Sequence, residues 1–251
     1  MKIARFMYKQ QELWGVLVDK SIRVLKTAPF AGIEFSQQVI DFKQVKLLAP
    51  TVPQKIVLVG LNYKNHAKEL GMKIPKQPII FLKPVTALTG HLDNIKYPLG
   101  VKQLDYEAEL ALVIGKKAHN IPESKALTYV LGYTCLNDIT ARDIQKKDGQ
   151  WTRAKSFDTF CPVGPWLETR IKTDDLMISA YLNGKLKQHS STSHLIFSIP
   201  YLISFISQIM TLLPGDIIST GTPPGIGRMK PGDRIEVSVE GIGTLQNQVT
   251  R

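Results

Sequence analysis

Short apolar runs rich in β-branched residues, bounded by Gly, Pro, Asn or Asp, recur at uneven spacing along the chain, and this punctuation excludes most architectures. Runs at 3–8, 12–18, 22–25, 56–59, 79–82, 110–114, 129–136, 177–182, 216–220 and 234–239 read as strands. Asn183-Gly184 predicts a hairpin, because a type I′ turn needs positive φ at both central residues, and Gly241-Ile242-Gly243 predicts a second, weaker one. Helical spacing shows at 62–71 and beyond Ser198, which precedes Pro200 as a helix start, with Pro214-Gly215 as the stop. Many strands without regular intervening helices predict a β-rich α+β fold rather than βαβ units.

The Ala49-Pro50-Thr51-Val52-Pro53 stretch is stiff, since each proline fixes its own φ and disfavours helix at the residue before it. We place a boundary there, between a small β-rich N-terminal unit at 1–50 and a larger domain at 51–251, a length ample for a buried core. Two cysteines, Cys135 and Cys161, make no disulfide framework and lack thiolate zinc spacing, which suits a reducing compartment. Residues 1–20 alternate apolar with polar residues and carry Glu12 and Asp19, unlike the apolar core of a signal peptide, so a cytoplasmic protein is expected. The apolar stretch 195–213 is broken by Ser198, Pro200, Ser204, Ser207, Gln208 and Thr211, which argues for a buried helix and against a membrane span.

A net charge of +11 raises the possibility of phosphate binding, yet its distribution argues against nucleic acid as a partner. Residues 1–100 carry 15 Lys/Arg against 6 Asp/Glu, spread through strand-like segments with no basic run longer than two. This describes a solvated basic surface with mild steering of small anions.

Chemistry concentrates in four segments. In Asp105-Tyr106-Glu107-Ala108-Glu109, residues i and i+2 of a strand share a face, so Glu107 and Glu109 project together and repel unless a cation or proton lies between them. Asp138 follows the 129–136 run; with it, three carboxylates would make a hard oxygen site for Mg²⁺ or Mn²⁺, with Ca²⁺ also suitable. The same spacing also describes an exposed strand face paired with lysines. His66 and Glu69 stand at i and i+3, where a carboxylate can orient an imidazole as a general base, or where both simply face solvent on a surface helix. Arg142, Gln145 and Lys155 would offset the acids and hold an anionic, oxygen-rich substrate. The loop Ser219-Thr220-Gly221-Thr222-Pro223-Pro224-Gly225-Ile226-Gly227 could offer N–H groups and the Thr222 hydroxyl to a carboxylate, or serve as a tight turn; it matches neither the P-loop nor G-x-G-x-x-G.

In order along the chain, Gly60-Leu61-Asn62-Tyr63, His66, Phe81-Leu82-Lys83-Pro84, Asp105 through Glu109, Asn137-Asp138-Ile139-Thr140-Ala141-Arg142-Asp143, Lys155 through Pro162, Asn183-Gly184 and Pro214 through Gly227 closely resemble the fumarylacetoacetate hydrolase family over roughly 55–249. The resemblance implies a mixed β-sandwich roll, a homodimer, and metal ligands at Glu107, Glu109 and Asp138. It further implies a His66–Glu69 dyad, Lys155 as the cation that polarises substrate, and substrate-side positions at Arg142, Gln145 and Thr222. Lys83 lies in a family motif without an assigned role. Asn62 stands where the name-giving enzyme has an aspartate in its metal shell, so the site is similar to that of the acylpyruvase-type branch, with two Glu and one Asp. The activity this implies is metal-dependent hydrolysis of a C–C bond in a small anionic β-diketo acid such as fumarylpyruvate or acetylpyruvate, through a stabilised enolate. Oxaloacetate tautomerisation or decarboxylation, or isomerisation of a 2-hydroxydienoate diacid, is the alternative use of the same groups.

Overall fold

A computed structural model of the chain describes residues 1–69 and 71–251, and among these the architecture is strand-rich, in two mixed sheets and a small antiparallel one. The largest runs in the order Phe35–Asp41, Ser21–Leu25, Gln11–Val18, Lys2–Tyr8, Cys161–Glu168, Val130–Asn137, Ala108–Ile114, Ile217–Ser219, Ile56–Gly60, Ile79–Lys83. The N-terminal strands thus continue the same sheet, Lys2–Tyr8 pairing antiparallel with Cys161–Glu168. A five-stranded sheet holds Lys185–Ser191, Met177–Leu182, Arg234–Val239, Gly243–Thr250 and Asn94–Lys96. A three-stranded sheet joins Thr140–Ala141, Leu104–Tyr106 and Gly227–Met229.

The strand Ala108–Ile114 is buried along its whole length, and alternation sends its side chains into two different cores. Ala108, Leu110, Leu112 and Ile114 meet Ile178, Val237 and Leu245 of the five-stranded sheet and Ile203 and Ile206 of the long helix. Ala111 and Val113 face a second cluster containing Ile56, Leu58, Val163 and Ile217. Glu109 has the same parity as Ala111 and Val113, so a carboxylate is carried into the interior by a strand that cannot slip register without exposing both cores.

Turns fall where expected: Asn183 and Gly184 both have positive φ, at 52° and 77°, between Met177–Leu182 and Lys185–Ser191. The first helical segment is Lys64–Glu69; Leu70, within the stretch read as helical, lies outside the described residues. The long helix starts as read, with the Ser198 hydroxyl accepting from the Tyr201 N–H, but it is Ile199–Ile209 and stops short of Pro214. The reason is a competing pairing: Leu212 exchanges both backbone hydrogen bonds with Ala118, which draws the chain into extended form. No helix among the described residues is long and apolar enough to cross a membrane.

Candidate active site

Glu107 lies at the break between Leu104–Tyr106 and Ala108–Ile114, where the chain leaves the small sheet for the large one, so the two glutamates are split by a kink instead of riding one uninterrupted strand. The kink is pinned on both sides of the backbone: the Glu107 N–H donates to Asn137 Oδ1 at 3.0 Å, and the Asp138 N–H donates to the Glu107 carbonyl at 2.9 Å. These bonds set Asp138 beside Glu107, and one oxygen from each of Glu107, Glu109 and Asp138 lies within 4.8 Å of the others. All three side chains are buried.

Cations from three elements face these acids. Lys155 Nζ donates to Glu107 Oε2 at 3.1 Å, Asp138 Oδ2 at 2.5 Å and Thr140 Oγ1 at 2.7 Å. Arg142 donates through Nε to Asp105 Oδ2 at 2.9 Å, through Nη1 to Gln145 Oε1 at 2.6 Å, and through Nη2 to Glu107 Oε1. Lys83, on the edge strand Ile79–Lys83, is fully buried and gives its protons to the carbonyls of Ile139, at 2.9 Å, and Phe160. Its Nζ also stands 2.6 Å from Asp138 Oδ1, outside hydrogen-bonding direction, so that oxygen is buried without a hydrogen bond.

Glu109 has no cation of its own: it accepts from the Ser219 hydroxyl and, at 3.0 Å, from the Gly221 N–H, both at Oε2. Burial and the neighbouring Asp138 charge push its pKa up to about 8, against the pull of Ser219. Burial also opposes ionisation of Glu107, but the Lys155 and Arg142 cations hold it well below the usual carboxylate range. Lys155 is desolvated, yet Asp138 and Glu107 keep its pKa raised and the ammonium charged.

Three buried carboxylates, an Asp138 oxygen without a hydrogen bond, and a Glu109 forced towards neutrality describe a cradle short of positive charge. The donor set is all oxygen, which fits a hard divalent cation such as Mg²⁺, Mn²⁺ or Ca²⁺.

These groups line a cavity of about 430 Å³ together with His66, Gln103, Asp105, Gln145, Trp151 and Thr222. His66 Nδ1 is 2.8 Å from Glu69 Oε2, which leaves Nε2 as the ring atom for proton transfer. Glu69 Oε1 accepts from the Gly225 N–H at 3.0 Å, tying the dyad's helix to the glycine-rich loop. Thr222 reaches the cavity wall, but its hydroxyl is occupied, donating to the Ala108 carbonyl at 2.9 Å and accepting from Gln188 Nε2 at 2.8 Å. Arg142 is likewise engaged, bound to Asp105 and Glu107 and donating to Gln145. Lys83 and Asp105, to which the sequence reading gave no role, and Thr140 and Ser219, which it did not single out, complete the polar network. A lone lysine closing the apolar run Ile79-Ile80-Phe81-Leu82 was the available signal for Lys83.

A family profile described as fumarylacetoacetate (FAA) hydrolase C-terminal matches residues 55–250. The chain belongs to the fumarylacetoacetate hydrolase family. A second profile, Rv2993c-like N-terminal, matches residues 1–50. Among relatives of the family, the rat mitochondrial oxaloacetate tautomerase Fahd2a is 43% identical over 222 residues, 84% of this chain and 71% of that protein. The crystal structure of 5-carboxymethyl-2-hydroxymuconate delta-isomerase from Mycobacterium smegmatis superposes with a TM-score of 0.95 at 40% identity, covering 100% of both chains. That of maleylpyruvate hydrolase from a Sphingobium species superposes with a TM-score of 0.83 at 30% identity, covering 100% of this chain and 99% of the other. Tautomerase, isomerase and hydrolase names thus share this fold, and the chain is an enzyme of that superfamily.

Proposed function

We propose that the protein hydrolyses the C–C bond of a small β-diketo acid of the acylpyruvate type, with Mg²⁺ or a similar ion held by Glu107, Glu109 and Asp138. The observation that carries this reading is that the acidic triad and His66, whose Nδ1 is held by Glu69, line one cavity. Hydrolysis needs both a place for developing oxyanion charge and a base for water, and a triad alone would supply only the first. When bound, a divalent ion supplies Lewis-acid polarisation of the keto group and a counter-charge for the enolate oxygen.

Arg142 and Gln145 orient the carboxylate end, while the Lys155 ammonium stabilises negative charge as it develops on the oxygen. His66 Nε2 takes a proton from water, and Glu69 stabilises the imidazolium that results. The hydroxide adds to the distal carbonyl carbon; the bond from that carbon to the methylene then breaks, and its electron pair remains on the pyruvate side as enolate. His66 returns the proton to the methylene carbon, so the products are pyruvate and the carboxylic acid of the acyl group.

A second reading is supported by the tautomerase and isomerase names among the relatives: the same groups would move a proton between carbon and oxygen of oxaloacetate or of a 2-hydroxydienoate diacid, without adding water. An NMR time course with Mg²⁺, against a chelated control, on acetylpyruvate and separately on oxaloacetate separates the two. Pyruvate and acetate, lost on chelation, support hydrolysis. Metal-dependent enol–keto exchange of oxaloacetate, with acetylpyruvate untouched, replaces it with the second reading.

A further inference from the structure

The cavity has one ionic side and one apolar side. Phe81 lies next to the ionic cluster, its ring centroid 5.1 Å from Lys155 Nζ. Trp151 packs edge-on against Phe81, with centroids 5.3 Å apart at 80°. Ile79, two residues before Phe81 and therefore on the same strand face, also lines the cavity, as does Met72; they are 40% and 47% exposed. Single exposed apolar residues are ordinary, but these four line the same cavity.

That wall depends on an accommodating backbone. Ile79 pairs with Gly60 across the strands, and the Trp151 ring covers Gly60 so closely that a Cβ there would lie 2.6 Å from a ring carbon. Any residue but glycine at 60 would lift the indole off the sheet.

Charge points the same way. Asp105, Glu107, Glu109 and Asp138 face Lys83, Arg142 and Lys155, each of which is already ion-paired within the cluster. Four negatives against three positives become one net positive charge with a divalent ion bound, and a single carboxylate balances it. The other lysine lining the cavity, Lys146, is exposed.

Resting on the keto-acid reading of the site, we infer that the substrate is a monocarboxylate whose end remote from the carboxylate is an apolar acyl chain, laid along Phe81 and Trp151 towards Ile79 and Met72. The cavity lies within the general range of about 300–1,000 Å³ for small-molecule sites, and it has room beyond a four-carbon diacid.

The test measures binding and turnover separately on the Mg²⁺-loaded protein. Calorimetric affinities for straight-chain 2-oxo acids, from pyruvate to 2-oxooctanoate, should rise roughly fourfold per methylene, as expected for apolar burial. The kcat/KM values for acetyl-, butyryl- and hexanoylpyruvate should rise in the same order. Trp151→Ala should compress the ratio of longest to shortest by about tenfold, and Trp151→Phe should restore much of it. A flat series in the unsubstituted protein overturns the inference, as does tighter binding of 2-oxoglutarate than of 2-oxopentanoate that Lys146→Ala abolishes. The wild-type binding series decides even if a Trp151 variant fails to fold. Chain-length-dependent binding without cleavage of any acylpyruvate would remove the hydrolase reading and leave the apolar site standing; cleavage without length dependence would do the reverse.

Discussion

Loading the acidic triad should release a proton, and the source is Glu109. Glu107 has Arg142 and Lys155, and Asp138 has Lys83 and Lys155, whereas Glu109 accepts only from Ser219 and Gly221. A carboxyl pushed up to about 8 is largely protonated at neutral pH and must ionise to bind a cation. With that value, binding releases about 0.9 proton at pH 7, about 0.5 at pH 8 and about 0.1 at pH 9. Apparent affinity for Mg²⁺ should rise about tenfold from pH 6 to 7 and less than about twofold from pH 8 to 9. The sign for the fold follows from the same shift. The native state binds this proton more tightly than the unfolded chain does, so its contribution to metal-free stability is full below the ordinary glutamate pKa and is lost as pH rises through about 8. Calorimetry in buffers of different ionisation enthalpy counts the protons. A buffer-independent enthalpy at pH 7, or proton release that persists unchanged in Glu109→Gln, would refute the assignment.

Other substitutions separate the parts of the site. His66→Ala should lower kcat by about 10²–10⁴ while Mn²⁺ affinity, read by electron paramagnetic resonance, stays within about threefold; unchanged turnover removes the imidazole from the mechanism. Lys83→Met deprives the Ile139 and Phe160 carbonyls of their donor and leaves Asp138 with one buried cation instead of two, and should cost about 3–5 kcal/mol in denaturant unfolding of the metal-free protein. A loss below about 1 kcal/mol would show that water replaces the ammonium. Gly225 has φ of 98° and a Cβ there would meet the Lys187 carbonyl oxygen at 2.3 Å, so Gly225→Ala should shift the loop, weaken its bond to Glu69 and cut kcat while sparing Mn²⁺ binding. Full activity in that variant would mean the contact with Glu69 is dispensable.

The parts of the fold written in local pattern were legible, and those decided by distant pairing were not. The hairpin at Asn183-Gly184 follows from two residues that tolerate positive φ, and the run to Ile114 from its unbroken apolar character. Cys161–Glu168 escaped because Pro162 and Pro165 argue against a strand interior, yet it lies between Lys2–Tyr8 and Val130–Asn137. The sheet accommodates the prolines by a register shift between Tyr133 and Cys135. At the site, the candidate triad came from two glutamates two residues apart, an aspartate after a strand and the family resemblance, and the three acids do come together, although Glu107 sits at a break and not on one strand face with Glu109. For Lys83 the sequence carried only a lysine closing an apolar run, a sign of burial; its carboxylate partner lies 55 residues on and could not be named from it. The apolar wall is likewise non-local: Phe81 and Trp151 meet only because the edge strand and the turn before Thr152–Lys155 close on each other.

Three buried carboxylates would drive each other apart in a chain that relied on the ion to hold them, and here the fold supplies the countercharge from independent elements. Lys83 comes from an edge strand, Arg142 opens the helix Arg142–Asp148, and Lys155 ends the helix Thr152–Lys155. With Asp105, the further partner of Arg142, counted in, the cluster carries one uncompensated negative charge, which the Glu109 proton cancels. In small metal-folded domains the ion provides the folding energy and chelation denatures the protein. This site sits instead between two cores built around Ala108–Ile114, with its charges already matched. Chelation should therefore abolish turnover and leave the strand-rich structure intact, and the ion's affinity is set by what it must displace: one proton from Glu109 and part of the hold of Lys155 on Glu107 and Asp138. On the proposed reading, Lys155, the one cation here ion-paired to both Glu107 and Asp138, would then stand with its charge beside a bound keto acid as the enolate oxygen develops.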